Sequence, residues 1–115
     1  MSETLLEILT RICGQLGLPV SVGNHAATPA PDTFAVITPL AETFGLFAGD
    51  QPGAEVIEVR ANIFTKTDYQ PVAQALTAAL LEAGVTITAR RYIGYEDDTK
   101  YHHWAGDTAI PQPLF

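Results

Sequence analysis

The side chains best suited to chemistry lie close together near the C-terminal end of this sequence. His102 and His103 are adjacent, and the acidic residues 96–98 precede them. Histidine beside a carboxylate is a common pair for general acid–base catalysis, and both residue types bind metal ions. On a strand, however, the two histidines point to opposite faces, so they cannot bind one metal without distortion. The acidic residues lack the glycine and terminal glutamate of a calcium-binding loop, which favours a solvated turn over a loose cation site.

The other reactive groups are isolated in the sequence. Cys13 is the single cysteine, so there is no disulfide framework, and we interpret it as a small packing residue. P-loop, GxGxxG, GxSxG and HExxH patterns do not occur. Arg90 and Arg91 could contact a phosphate, but strand alternation sends them to opposite faces, so at least one suits an interface or surface ion pair. We therefore predict a protein that is not an enzyme, with no catalytic residue, cofactor or metal site.

Composition limits the classes of protein to which the chain can belong. A length of 115 residues predicts one domain, 1–115, with a single core. Hydrophobic residues make up 47% and charged residues 17%, as in globular proteins. The net charge of −7 argues against sequence-independent binding of nucleic acid, because that requires Lys and Arg to neutralise phosphates. No apolar run approaches the ~20 residues of a membrane span. At the N-terminus acidic residues come before the apolar ones, which is the wrong order for a secretory signal. We expect a soluble protein of the cytoplasm.

Two amphipathic helices are predicted to flank the first half of the chain. The first has an apolar face at three- and four-residue spacing, formed by Leu5, Ile8, Leu9, Ile12 and Leu16. Ser2 is its predicted N-cap and Gly17 follows its end. The second begins after Asp68 as cap, with Pro71 in its first turn, and ends at Gly84. Its apolar face comprises Val72, Ala75, Leu76, Ala79, Leu80 and Ala83.

Four strands are predicted between and after these helices. The clearest, 55–66, alternates regularly: Ile57, Val59, Ala61 and Ile63 point one way, and Glu58, Arg60, Asn62, Phe64 and Lys66 point the other. This pattern is typical of an antiparallel sheet covered on one side. A short strand, 34–40, comes before it, and Pro39 places the end of that strand at an edge or exit. Strands 86–95 and 101–108 flank the acidic turn as a hairpin.

The element order is therefore α-β-β-α-β-β. It predicts an α+β fold with a four-stranded, mainly antiparallel sheet on which both helices pack. The segment 18–32 is predicted to be a loop, 42–53 an extended excursion, and 109–115 a flexible C-terminal tail. Apolar side chains occur in the excursion at Phe44, Leu46 and Phe47. They either fold back on the core or form an arm that contacts a neighbouring subunit.

Three segments together resemble a known family: FAVITPLAETFGLFAGDQPGAE (34–55), EVRANIFTKTDY (58–69) and RRYIGYEDDTKYHHWAGD (90–107). Over roughly residues 33–107 the chain resembles the tail-terminator or tail-completion proteins of long-tailed phages and prophages. The resemblance implies a structural virion protein, assembled in the host cytoplasm, that forms a homo-oligomeric ring, typically a hexamer, on the head-proximal end of the tail tube. The ring would stop growth of the tube, join it to the head connector and let DNA pass through the lumen without specific binding.

One position departs from that resemblance, because a bulky apolar residue is expected near Gly106 in the last strand. Glycine there indicates a bulge, a close backbone approach or an altered register. The candidate subunit-interface residues are Phe44, Leu46, Phe47, Arg60, Arg90, Arg91 and Trp104, although the strand parity of Trp104 also suits the core. Two alternatives remain: a head-completion or neck adaptor of the same particle, and, ranked lower, a small enzyme that uses His102 or His103 with an acid of the turn.

Overall fold

The computed structural model describes residues 4–23, 31–48 and 51–113, and the side chains of 4–23, 31–42 and 56–111. Its elements are α1 (Leu5–Gln15), β1 (Val20–Val22), β2 (Thr33–Ala48), β3 (Gln51–Thr65), α2 (Gln70–Glu82), β4 (Thr86–Tyr95) and β5 (His102–Pro113). The strands form one mixed sheet in the order β1-β2-β3-β5-β4. The predicted α+β class is confirmed. The predicted strand number of four is wrong, because the sheet has five strands.

The additional strand, β1, lies in the segment predicted to be a loop. It is three residues long and runs parallel to β2, with Val20 opposite Ala35 and Val22 opposite Ile37. Three residues are too few for alternation to be recognised in the sequence. The strand forms because β2 supplies hydrogen-bond partners from a distant part of the chain, and no local pattern records that pairing.

The excursion predicted at 42–53 is instead the far end of a long hairpin. Strand β2 continues through Ala48 and β3 starts at Gln51, with Phe44 opposite Glu55 and Phe47 opposite Pro52. Cross-strand pairing therefore overrides the glycine and proline content that predicted a loop. The pairing is irregular between Pro39 and Ala41, a position that tolerates a missing N–H because β1 pairs with β2 only as far as Ile37.

The helices are much shorter than the strands that they cover. Strand β2 has 16 residues, which at about 3.3 Å per residue reach about 50 Å, close to the longest molecular dimension of 52 Å. Helices α1 and α2 have 11 and 13 residues, which at about 1.5 Å per residue reach only about 20 Å or less. Strand β2 is therefore more than twice as long as either helix, and part of the sheet extends past them.

Strand β5 belongs to this extended part of the sheet. It continues to Pro113 and stays paired with β3 as far as Ala54. The tail predicted to begin at 109 is therefore a strand up to residue 113, because β3 provides an edge along which it can pair. Pro111 lies where β5 has passed the start of β4, so its missing N–H is tolerated there. Leu114 and Phe115 lie outside the described residues.

The N-cap residue of each helix differs from the predicted one, whereas the C-terminal ends agree with the prediction. Thr4, not the predicted Ser2, is the N-cap of α1, and it exchanges side-chain and backbone hydrogen bonds with Glu7 as a capping box; Ser2 lies outside the described residues. In α2 the N-cap position is Tyr69, while Asp68 Oδ1 accepts the N–H of Gln70 at 3.0 Å. Gly17 and Gly84, with φ of 75° and 80°, end the two helices as predicted.

The core lies between the two helices and one face of the sheet, here called the helix face. Its largest fully buried side chains include Leu5, Leu9, Ile12, Ile37, Val59, Ile63, Leu76 and Leu80. The predicted alternation of β3 is confirmed, since Val59, Ala61 and Ile63 all lie in this core. In α2, Ala75 and Ala83 are exposed and Ala73 is buried, so the apolar face is rotated slightly from the predicted one.

Gly106 is explained by the side chain of Trp104, which lies on the same face two residues earlier. A Cβ atom placed on Gly106 would be 2.9 Å from Cη2 of the indole. The pairing of β3 with β5 is regular from Thr65–His102 to Ala54–Pro113, so the glycine makes room for a close contact and does not mark a bulge. Of the explanations left open by the sequence, a close approach to the backbone is the one observed.

Candidate interaction site

Two surfaces of the described part of the sheet carry aromatic and charged groups suited to binding a partner. The first is the open face, which we define as the face of the sheet opposite the helices. Strand alternation places Arg60, Asn62 and Phe64 there. Both helices pack on the helix face, so within the described part of the chain no helix covers the open face.

An aromatic cluster forms the first part of the open face. The rings of Phe34 and Phe64 stack with their centroids 5.1 Å apart, and Tyr101 meets Phe34 edge-on at 5.2 Å. The hydroxyl of Tyr101 donates a hydrogen bond to the carbonyl of Pro31. Lys66 Nζ lies 5.2 Å from the centroid of the Tyr101 ring, a cation–π contact that keeps the charge at the surface.

A buried amide fixes the next group on this face. Asn62 Nδ2 donates to the carbonyl of Val36 at 3.0 Å and to Thr38 Oγ1 at 3.2 Å, and its Oδ1 lies 2.8 Å from His103 Nε2. The oxygen needs a donor, so this network places the His103 proton on Nε2. The ring of His103 also stacks on Phe64 at 4.2 Å. Burial lowers the pKa of His103, an effect partly opposed by Glu96.

An ion-pair row crosses three strands of the same face. Arg60 donates to both carboxylate oxygens of Asp107, with distances of 2.7 Å from Nε and 3.2 Å from Nη2. Arg91 Nη2 lies 3.7 Å from Asp107 Oδ2 and remains 55% exposed. The hydrogen bonds from Arg60 hold the pKa of Asp107 below its usual range and raise the pKa of Arg60. Two guanidinium groups thus share one carboxylate, and the row keeps a net positive charge.

The second surface lies on the helix face, beyond the N-terminal end of α2. We call it the aromatic row: Tyr69, Tyr92, His102 and Tyr95. Tyr69 and Tyr92 have centroids 5.0 Å apart, and Tyr95 and His102 are 4.8 Å apart. The Tyr92 hydroxyl lies 2.9 Å from His102 Nδ1. Tyr92 and Tyr95 nevertheless remain 44% and 46% exposed, so the rings are held in place but not covered.

The row is bordered by the acidic turn, 96–98. The turn is closed by backbone hydrogen bonds from Glu96 N to Tyr101 O and from Lys100 N to Glu96 O. Lys100 has φ of 67°, the left-handed conformation that lets the chain reverse. Residues 96–100 are all exposed. The tip of the hairpin is thus an ordered, negatively charged projection beside the tyrosines.

The backbone edge of β4 is poorly suited to pairing with a further strand. Its register with β5 shifts between Ile87 and Ala89 and again between Tyr92 and Gly94. Arg90 and Arg91 are both exposed in the middle of the strand. Irregular pairing and charge are the devices that discourage edge-to-edge association of sheets, so contacts at this edge should go through side chains.

The residues predicted as subunit-interface candidates do not form one site. Arg60 and Arg91 meet on the open face through Asp107, whereas Arg90 points the other way and lies 3.4 Å from Thr77 Oγ1 of α2. Their predicted separation to opposite faces is confirmed. Trp104 is 5% exposed and packs in the core, which leaves it little surface for a subunit contact. Phe44, Leu46 and Phe47 lie on β2, but their side chains are outside the described residues.

The groups considered for catalysis are also separated. His102 belongs to the helix face and His103 to the open face, as alternation predicted. Cys13 of α1 is fully buried in the core, and this burial raises the pKa of its thiol to about 11. Across residues 4–23, 31–48 and 51–113, no group of three or more His, Cys, Asp or Glu is placed to hold a metal ion. Neither described helix is both long and apolar enough to cross a membrane.

Sequence reasoning missed the partners that complete both surfaces. Asp107 stands 47 residues from Arg60, and Tyr69 is separated from Tyr92 by the whole of α2. The register between β3 and β5 brings Arg60 to Asp107, and the position of the start of α2 next to β4 brings Tyr69 to Tyr92. The available signal was parity: once β3 and β5 are paired antiparallel, a charged residue on the polar side of each strand is expected to find the other.

No protein-family model matches the chain, and no curated protein matches it.

Proposed function

We propose that this chain is a structural protein of a long-tailed phage, a tail terminator that forms a ring on the head-proximal end of the tail tube. The ring, proposed as a hexamer, stops growth of the tube and joins it to the head connector. The sequence resemblance over roughly residues 33–107 suggests this function. Support from the fold consists of surfaces that are suited to contact another subunit.

The observation that carries the proposal is the length of sheet beyond the helices. The two helices reach about 20 Å or less along strands that reach about 50 Å. Leu40 is 43% exposed, and Ile57 and Ile110, which pack against the core, are only partly buried. A sheet that extends past its own covering layer offers a large surface to another subunit, as an assembly protein requires.

Charge supports the same proposal. The chain carries a net charge of −7, and negative surfaces around a lumen would let DNA slide past because like charges prevent adhesion. On this proposal the DNA is cargo that passes through the ring, and the protein partners are further copies of the chain, the tail-tube protein and the head connector.

Two alternative functions remain open to experiment. A head-completion or neck adaptor protein would need the same assembly surfaces but would bind the head, not the tube. A small enzyme would need a base, a nucleophile and a pocket that converge. His102 and His103 instead face opposite sides, and their polar partners are Tyr92 and Asn62.

The proposal can be tested by combining the purified chain with the tail-tube protein of the phage that encodes it. Negative-stain microscopy should show rings that cap one end of each tube and limit its length. Deleting the gene should give abnormally long tails that fail to join heads. Binding to heads with no effect on tubes would favour the neck adaptor. A loss of virion yield of roughly 100-fold in His102→Ala or His103→Ala, with assembly intact, would instead favour the enzyme.

A further inference from the structure

The two surfaces on the β4 side of the sheet have opposite charge and face opposite directions. The aromatic row and turn 96–98 lie on the helix face and at the hairpin tip, where the acidic groups are exposed. The open face carries Arg60, Lys66 and Arg91, half of the six Lys and Arg in a chain with thirteen acids, against the two acids Glu58 and Asp107. One subunit therefore presents both members of a complementary pair.

We propose that the aromatic row and acidic turn of one copy dock on the positively charged open face of a second copy. This contact rests on the proposed ring and identifies its subunit interface. A closed ring is built from heterologous contacts, in which two different patches of each subunit meet. Patches on opposite faces of one sheet satisfy that requirement, since every copy can give one contact and receive another.

The aromatic row has the physical properties of a binding anchor. Exposed large hydrophobic side chains of the described residues are concentrated there, with Tyr92, Ile93 and Tyr95 within four positions. Tyr92 is already held between Tyr69 and His102. Ordering these rings on association therefore costs little conformational entropy. Tyrosine is also among the residues that most often dominate binding energy at interfaces.

The receiving surface matches this anchor in chemistry. Arg91 is 55% exposed and makes a contact of 3.7 Å with Asp107, so its guanidinium can turn toward an incoming carboxylate or stack on a tyrosine ring. Arg60, in contrast, is held in a bidentate pair with Asp107. Arg91 is thus the group that can change partner, while Arg60 keeps Asp107 neutralised.

Charge reversal gives a direct test in the full-length chain, with assembly measured by light scattering after size-exclusion chromatography. Asp97→Lys places a cation against Arg91 of the next copy, and Arg91→Glu places a carboxylate against Asp97. Each variant alone should associate roughly 100-fold more weakly than the wild type, because like charges at a contact repel each other. An equal mixture of the two should assemble again, since alternating copies restore an opposite-charge pair at every contact.

Two matched controls separate this contact from general charge effects. Glu82→Lys changes the net charge as Asp97→Lys does, but at the exposed C-terminal end of α2. Arg90→Glu changes it as Arg91→Glu does, on the neighbouring residue that faces α2. Glu82→Lys should assemble like the wild type, whereas Arg90→Glu shows how far a charge on the helix face next to Tyr92 affects the contact. Tyr95→Ala should weaken association about tenfold while Tyr95→Phe should not. Thermal melting confirms that each variant is folded.

The outcomes distinguish this interface from the function on which it rests. If the wild type forms rings and the reversals leave them intact, or the mixture fails to restore them, the proposed contact is wrong and the ring stands. If the wild type remains a monomer even with the tail-tube protein, the proposed function fails, and the contact with it. The contact is supported if assembly is lost in each reversal variant, is restored in their mixture and is retained in Glu82→Lys.

Discussion

The two faces of the sheet are built from the same strands but are stabilised in different ways. On the helix face, Ile63, Leu76 and Trp104 are packed in a dry core. On the open face, Asn62 and His103 form a hydrogen-bonded pair, and Arg60 and Asp107 form an ion pair. Apolar burial under a helix contributes most of the stability of a domain, whereas a partly exposed ion pair such as Arg60–Asp107 contributes little. The difference indicates that the core under the helices maintains the fold, while the ion-pair row of the open face is available for contacts.

The largest expected effect tests the helix face directly. Leu76 of α2 is fully buried, so Leu76→Ala should lower the free energy of unfolding by about 2–5 kcal/mol through lost burial and a cavity. Leu81 lies on the same helix and is 61% exposed. Leu81→Ala should change stability by about 0.5 kcal/mol or less. Urea unfolding followed by circular dichroism measures both, and equal effects would contradict the assigned core.

A smaller effect is expected from the contact between Gly106 and Trp104. Gly106→Ala adds a methyl group 2.9 Å from the indole, so the ring or strand must shift, at a cost of about 1–3 kcal/mol. Gly14 of α1 has open space around its Cβ position. Gly14→Ala should therefore stabilise the chain by about 0.5–1 kcal/mol through helix propensity. Thermal unfolding should move in opposite directions for the two variants; a neutral Gly106→Ala would show that the tryptophan yields freely.

The ion-pair row of the open face should contribute less. Asp107→Asn removes the carboxylate shared by Arg60 and Arg91, which should cost about 1 kcal/mol or less at pH 7. Because the folded pKa of Asp107 is lowered, its contribution is full above the unfolded-state value of about 3.9 and is lost as the pH falls through the folded pKa. The difference from the wild type should thus disappear in strong acid. Urea unfolding of both proteins across this pH range measures the difference, and a difference that persists in strong acid would contradict the prediction.

The smallest effect is expected at His103. Burial lowers its folded pKa, so below about pH 6.5 the unfolded chain takes up the proton more readily. Stability from the neutral ring is full above that pH and is lost as the pH falls through the folded pKa. His103→Gln should flatten the stability profile between pH 7 and 5 while keeping a donor for Asn62. A profile that stays as steep in His103→Gln as in the wild type would contradict the assignment of this pH dependence to His103.

Prediction from sequence succeeded where a segment carries its own periodicity. The alternation of Val59, Ala61 and Ile63 placed the core face of β3 correctly, and Gly84 marked the end of α2. Prediction failed where pairing with another strand determines the structure. Strand β1 is too short for a pattern, and the hairpin through Ala48 contains glycine and proline that local propensity assigns to a loop. For the same reason the pairing of Arg60 with Asp107 could not be predicted, since it depends on the register between two strands and not on either strand alone.

The packing of Trp104 on Gly106 also provides an optical handle. The chain contains one tryptophan, and it is 5% exposed in the core between the sheet and α2. Its emission should therefore report loss of the helix layer without interference from a second indole. Both proposed contact surfaces instead contain tyrosine. Association through them should leave the tryptophan spectrum unchanged, so one fluorescence signal can separate unfolding of a subunit from disassembly of a ring.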